Sequence, residues 1–427
     1  MTAVEGTVVP VDEVEALAVD GLHWLLGTAR ETEGGGLGWP TRPSDDELNP
    51  MFYSGTAGVV PVLLEARRHF GDDSYGDMAV RAARSLAAAV DDHDDDSLYF
   101  GRTGIALVLR AVHDELGDSG AGAAADRALR IVRSRFDGTR WGTLFELMGG
   151  NAGIGLGAST LGDAELAVLA LEPYLRTAEK TPSGVQWAHR PNVESRLHHV
   201  SHGTLGIVSA LARVGRATGR ADFVEAALAG AADVVARDEA GPDGFLVPHS
   251  DPPWRPDLTQ RISYGWCHGP AGDAQAFRVL RDVTADPVWT SLADRCWHTV
   301  TRSGLPQRLR PGFWDNNGRC CGTAGVLALA CDRLAEQHDA AADAGFTHVL
   351  VADLAARSTR DGEGARWSNV EHRATPSALE PCTGWAMGNA GIVRELLRFV
   401  RLSRGGDPAY AFDWPDQPSV RRAAGAA

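Results

Sequence analysis

Two kinds of helical stretch alternate along the chain. One kind is apolar on a single side: residues 77–90 (DMAVRAARSLAAAV), 123–136 (AAADRALRIVRSRF) and 222–237 (DFVEAALAGAADVVAR) return apolar positions at helical spacing with charges opposite. The other kind is apolar nearly all round and always opens on Gly-x-x-Gly. It appears as GTAGVVPVLLEA from Gly55, GRTGIALVLRAV from Gly101, GNAGIGLGASTL from Gly150, GTLGIVSALARV from Gly203, GPAGDAQAFRVL from Gly269, GTAGVLALACDRL from Gly322 and GNAGIVRELLRFV from Gly388. One such tetrapeptide among 49 glycines marks only a turn, but seven copies spaced 46 to 66 residues apart are an internal repeat. Paired glycines before an apolar helix allow close backbone approach, and glycine also tolerates positive φ in a tight loop-to-helix turn.

A repeated pair of one buried and one amphipathic helix stacks into a solenoid or closes into a ring with the buried helices inside. The pattern therefore predicts an all-α fold, an α/α toroid of seven inner and seven outer helices in a single domain spanning 1–427, with functional residues on the rim where inner helices begin. Strand signals are sparse, residues 244–247 being one candidate. The acidic run DDHDDD (91–96) reads as a solvated loop, and residues 248–258 and 305–318 read as loops roofing the rim.

Numbered from the first glycine of each repeat, reactive side chains share the same slots. Cys267 and Cys320 lie two residues before Gly269 and Gly322; Cys321, His202 and His268 lie one residue before Gly322, Gly203 and Gly269. The last repeat is an internal control: Trp385-Ala386-Met387-Gly388 copies the Trp266-Cys267-His268-Gly269 frame with unreactive residues, so the scaffold does not itself demand cysteine there. Three thiolates from Cys267, Cys320 and Cys321 suit a tetrahedral zinc site with one open position, the mark of catalytic zinc. His268, Cys331 and Cys382 are the candidates for a fourth protein ligand, and none has compelling spacing. Three cysteinates leave the metal electron-rich, which favours attack by a bound sulfur over activation of water. His202 is the candidate general acid and base, though His198 and His199 stand beside it. Glu146, four residues before Gly150, is either a further rim residue or an exposed loop carboxylate. Arg102 is a candidate contact for a substrate carboxylate or carbonyl. Cys296 and Cys331 read as core residues.

Composition narrows the classes. A net charge of −15 with no basic run argues against nucleic acid, and no apolar run is long enough for a membrane span. The first twenty residues carry acids and a proline where a secretory signal needs a basic start, so a cytoplasmic location is expected. Six cysteines in so long a chain then point to metal or catalysis rather than a disulfide framework.

SHGTLGI (201–207), GWCHGPAG (265–272) and RCCGTAG (319–325) together resemble the lanthionine synthetase C-like family, which includes the bacterial lanthipeptide cyclases, and the likeness runs over roughly residues 50–400. The resemblance implies an α/α toroid with zinc at the top of its cavity, the first two zinc cysteines falling on Cys267 and Cys320. Most members follow the second cysteine with histidine; here Cys321 stands there, as in a Cys-Cys-Gly variant known among cyclases. The family's catalytic histidine matches His202, its acidic residue, usually aspartate, falls on Glu146, and His268 stands where tyrosine is frequent. The implied reaction adds a cysteine thiol of a dehydrated precursor peptide to dehydroalanine or dehydrobutyrine, giving (methyl)lanthionine thioether rings. No dehydratase region precedes the repeats, so a separate dehydratase partner is expected. Rival readings are a relative that adds glutathione to dehydroamino acids or forms aminovinyl-cysteine, a leader-peptide or partner-binding scaffold, and a toroid glycosidase or terpene cyclase. The last would need paired carboxylates or an Asp-rich motif in place of the three cysteines.

Overall fold

The computed structural model describes residues 8–257, 259–307, 316–336, 340–368 and 379–418. Among them are fourteen α-helices, with strands only as short antiparallel pairs. Helix α1 (Val11–Gly27) precedes the first motif. Seven helices then begin directly after the first glycine of a repeat: α2 (Thr56–Phe70), α4 (Arg102–Leu116), α6 (Asn151–Thr160), α8 (Thr204–Thr218), α10 (Pro270–Thr284), α12 (Thr323–Glu336) and α14 (Asn389–Ser403). Between them lie the amphipathic helices α3 (Ser74–Ala89), α5 (Ser119–Ser134), α7 (Ala164–Thr177), α9 (Ala221–Val235), α11 (Pro287–Arg302) and α13 (Ala340–Arg357).

The chain forms two compact units, one from residues 1–82 and 304–413, the other from residues 83–303 and 414–418. In the second unit each motif helix packs on the amphipathic helix that follows it (α4 on α5, α6 on α7, α8 on α9, α10 on α11), and α4, α6, α8 and α10 pack on one another in succession. In the first unit α14 packs on α2 and α12, and α12 on α13. The amphipathic partner of α14 comes from the other end of the chain: it is α1. Gly21 permits this close approach, because a Cβ there would stand 2.5 Å from Val393 Cγ2. Asn389, the first residue of α14, also donates through Nδ2 to the buried Ala365 carbonyl at 2.8 Å.

The last carbonyls of a helix have no partner within it. Four amphipathic helices meet this need in one way, with a buried indole from the following loop. Trp39 Nε1 donates to Leu25 O in α1, Trp141 to Val132 O in α5, Trp187 to Tyr174 O in α7 and Trp367 to Leu354 O in α13, all at 2.7–2.9 Å. Residues 244–247, a strand candidate in the sequence, do not form a strand. The Phe245 and Leu246 amides donate to the side chains of Thr299 and Asp238, so no ladder is built there.

The motif glycines are required by contact, not by handedness. At the five caps from Gly55 to Gly269 and at Gly388 the φ values run from −111° to −174°, extended backbone open to any residue. The helices instead start against their own loops. The first amides of α2, α4, α12 and α14 donate to carbonyls six residues before the first glycine, Asn49, Asp95, Asn316 and Cys382, at 2.7–2.9 Å. A Cβ on the second glycine would meet another loop carbonyl: Gly58 would stand 2.1 Å from Phe52 O, Gly104 2.0 Å from Leu98 O, Gly206 2.1 Å from Val200 O and Gly272 1.9 Å from Trp266 O. No side chain can occupy that space without moving backbone. Gly104→Ala is therefore expected to destabilise the protein by about 3 kcal/mol. Gly27→Ala, at the exposed end of α1 with nothing within 4 Å, should change stability by no more than about 0.5 kcal/mol. Chemical denaturation compares the two, and equal losses would contradict the contact argument.

Candidate functional site

Because each loop is drawn back onto its helix, the residues just before the first glycine are displayed in register. Backbone bonds link those two residues before the glycine from one repeat to the next. In the second unit Tyr99 N donates to Met148 O (3.0 Å) and Ser201 N to Cys267 O (3.2 Å); in the first unit Cys320 N donates to Ala386 O (2.8 Å) and Ala386 N to Tyr53 O (2.9 Å).

In the second unit this brings His202 and Glu146 together: His202 Nδ1 lies 3.3 Å from Glu146 Oε1. The imidazole is part-exposed, whereas Glu146 is fully buried, which removes the exposed-loop alternative. Glu146 is held by its own loop, accepting from the amides of Met148 (2.6 Å) and Gly149 (2.9 Å). A carboxylate fixed in this way stands where it can orient the ring. Ser201, next to His202, donates through Oγ as well as N to the Cys267 carbonyl (2.9 Å for Oγ), fastening the histidine loop to the cysteine loop. Sequence reasoning missed Ser201, although it occupies the same slot as Cys267.

The same unit gathers further histidines. His268 is buried, its ring centroid 4.1 Å from that of His249 and 5.9 Å from that of His202. His199 Nδ1 lies 2.9 Å from Asp273 Oδ2, both side chains fully buried. His198 Nδ1 contacts Pro248 O at 2.8 Å, where the short strands Arg196–Leu197 and Ser250–Asp251 pair. Burial holds the His198 pKa down to about 4 and that of His249 to about 3, and it pushes His268 well below the ordinary range. His198 and His199 are themselves buried, which separates them from the part-exposed His202. In the stretch 248–258, expected to roof the rim, Trp254 packs its ring on His189, with centroids 5.3 Å apart; Leu258, and residues 308–315 of the other stretch, lie outside the described residues.

Arg102 is not placed to receive a substrate. Its guanidinium donates to Asp96 Oδ1 (2.8 Å), Val90 O (2.7 Å) and Asp91 O (3.1 Å), so it braces the acidic run instead. That run is correspondingly not wholly solvated: Asp96 is buried and also pairs with Arg135.

In the first unit Cys320 and Cys321 are buried reduced thiols with their sulfurs 3.4 Å apart. Two thiolates on one tetrahedral zinc, at Zn–S of about 2.3 Å, stand roughly 3.8 Å apart, so the pair needs only a small adjustment to share an ion. Tyr53 places its hydroxyl 3.6 Å from Cys320 Sγ. Among the described residues the group of side chains that could hold a metal ion is Cys267, Cys320 and Cys321. Cys296 and Cys331 are fully buried in helices; burial raises both thiols, Cys331 to about 12, which suits inert core residues.

A family profile described as lanthionine synthetase C-like protein matches residues 46–245 and 253–347. No curated protein matches the sequence. Among solved structures, a nisin cyclase is similar at a TM-score of 0.66 and 14% identity, over 95% of this chain and 96% of that one. A GH76 alpha-mannanase of Bacteroides thetaiotaomicron is similar at 0.51 and 10% identity, over 92% and 96%. At such identities the likeness bears on fold alone, and the fold is an α/α toroid.

The buried histidines set an acid limit on stability. The native state keeps His198 and His249 neutral, whereas the unfolded chain protonates them near 6.5 and so binds more protons below that pH. Their contribution is complete above about 6.5 and is lost as pH falls toward their folded values. The denaturation midpoint is expected to drop between pH 6.5 and about 4. In His198→Asn, whose amide can still donate to Pro248 O but does not titrate, the slope should be shallower; parallel curves would refute this account.

Proposed function

Because the chain belongs to the lanthionine synthetase C-like family, we propose that it is a zinc-dependent cyclase. It adds cysteine thiols of a dehydrated precursor peptide to dehydroalanine or dehydrobutyrine, closing (methyl)lanthionine rings. The observation that carries this reading is the group of three buried thiols, Cys267, Cys320 and Cys321. A toroid glycosidase would instead need two carboxylates facing one another, and the carboxylate nearest His202 serves that imidazole. The reading takes the seven repeats, and with them residues 1–427, as one catalytic domain in the cytoplasm, where thiols stay reduced. No helix among the described residues is long and apolar enough to cross a membrane. A separate dehydratase supplies the substrate.

Cys267, Cys320 and Cys321 fit zinc by softness and number, leaving a fourth position for substrate. When bound, zinc would keep the peptide thiol as a thiolate at neutral pH while three cysteinates preserve its nucleophilicity. The chain's own residues handle the proton. With Nδ1 3.3 Å from Glu146 Oε1, the Nε2 of His202 is the atom assigned to take the thiol proton and return it. The C–S bond forms at the β-carbon of the dehydro residue, the π electrons move to the α-carbon, and the proton from His202 lands there. Nothing is oxidised or reduced, and the peptide's mass does not change. Glu146 stabilises the imidazolium between the two transfers.

Purified protein is expected to carry about one zinc per chain, and the triple Cys267→Ala, Cys320→Ala, Cys321→Ala variant little; a folded, metal-free parent purified without chelators would overturn the reading. Incubated with a dehydrated peptide, the parent should remove free thiols at unchanged peptide mass. His202→Asn should slow this by about 10² to 10⁴, and Glu146→Gln by a smaller factor. A zinc-loaded protein that adds glutathione but closes no ring would make it a glutathione-adding relative instead.

A further inference from the structure

Tyr53 stands two residues before Gly55, the slot that Cys320 occupies before Gly322. Two backbone bonds chain these slots together through the last repeat: Cys320 N to Ala386 O at 2.8 Å, and Ala386 N to Tyr53 O at 2.9 Å. The loop before Gly55 is itself pinned, with the Asn49 amide on Trp39 O and the Thr56 amide on Asn49 O. Phe52 packs on Trp385 with ring centroids 5.3 Å apart. The phenol is thus held by backbone on the side of the cysteine loop, and its hydroxyl reaches Cys320 Sγ at 3.6 Å.

We propose that Tyr53 is a positioning residue of the metal site, its hydroxyl donating a hydrogen bond to the Cys320 thiolate. The inference rests on the zinc-site reading above and concerns a side chain outside the proposed ligand set. A hydroxyl that donates to a thiolate favours the charged form of the sulfur and draws density away from it. Three thiolates bring one more negative charge than a divalent ion neutralises, so a donor on one of them offsets part of that excess. It also fixes the direction of the Cys320 side chain. Partners of this kind, one bond removed from the metal, typically change its affinity by 10- to 100-fold.

The test compares parent with Tyr53→Phe, which keeps the ring and deletes the donor. Zinc affinity is measured by competition with a chromophoric chelator at neutral pH, and cobalt(II) is substituted to read the sulfur-to-metal charge-transfer band. The expected result is about tenfold weaker zinc binding and a cobalt band moved to lower energy, with the melting of the metal-free protein unchanged. Should Tyr53→Phe fail to fold, parent grown with 3-fluorotyrosine, a stronger donor, should move the cobalt band to higher energy, and an unmoved band overturns the proposal. A parent that binds zinc and a folded Tyr53→Phe protein with the same affinity and spectrum overturn the role of Tyr53 alone. A parent that takes up neither ion overturns the zinc reading and this inference with it.

Discussion

Every motif helix begins against the carbonyls of the loop that precedes it, and only glycine leaves room for that contact. At Gly272 a single added carbon would stand 1.9 Å from Trp266 O. The contact draws the loop back over the helix end, and the loop carbonyls take the first helical amides, which removes any need for a serine or aspartate cap. The side chains at the two positions before the glycine are thereby not needed to cap the helix. Tyr53, Ser201, Cys267, Cys320 and Ala386 all occupy one such slot, a range of chemistry that a single backbone geometry accommodates. The slots also precede helix N-termini, where partial positive charge favours anionic sulfur and carboxylate.

Buried charge around these loops is paired, as low-dielectric surroundings demand. Glu146 takes two loop amides before it faces His202. Arg319, immediately before the cysteine pair, places Nε 3.1 Å from Glu395 Oε1; Tyr410 donates to Glu395 Oε2 at 2.7 Å, and Arg398 links Tyr410 to Asp332. The loop bearing Cys320 and Cys321 is therefore anchored from behind by a fixed network, leaving its sulfurs free of that task. Arg102 and Asp96 do the same for the loop before α4, which is why an arginine that looks available in the sequence is not.

Much of this was legible in the residues. The repeat of Gly-x-x-Gly located all seven motif helices, because a steric requirement of the backbone leaves a mark that no other residue can replace. The amphipathic stretches were legible for the usual reason, that one side of each faces apolar neighbours. The strand candidate at 244–247 misled because a short apolar run does not reveal whether its amides will find a ladder or, as here, Thr299 and Asp238.

By itself the sequence determined which residues could carry chemistry: thiols, an imidazole and a carboxylate at fixed offsets from repeated glycines, since offset and residue type are local properties. Tertiary structure alone decided their partners. Whether Glu146 was solvated or aimed at His202, whether Arg102 met substrate or its own loop, which histidines were walled in, and which helix completed α14 all depend on segments far apart in the chain. Burial and pairing follow from what packs nearby in space, and no spacing along the sequence encodes that.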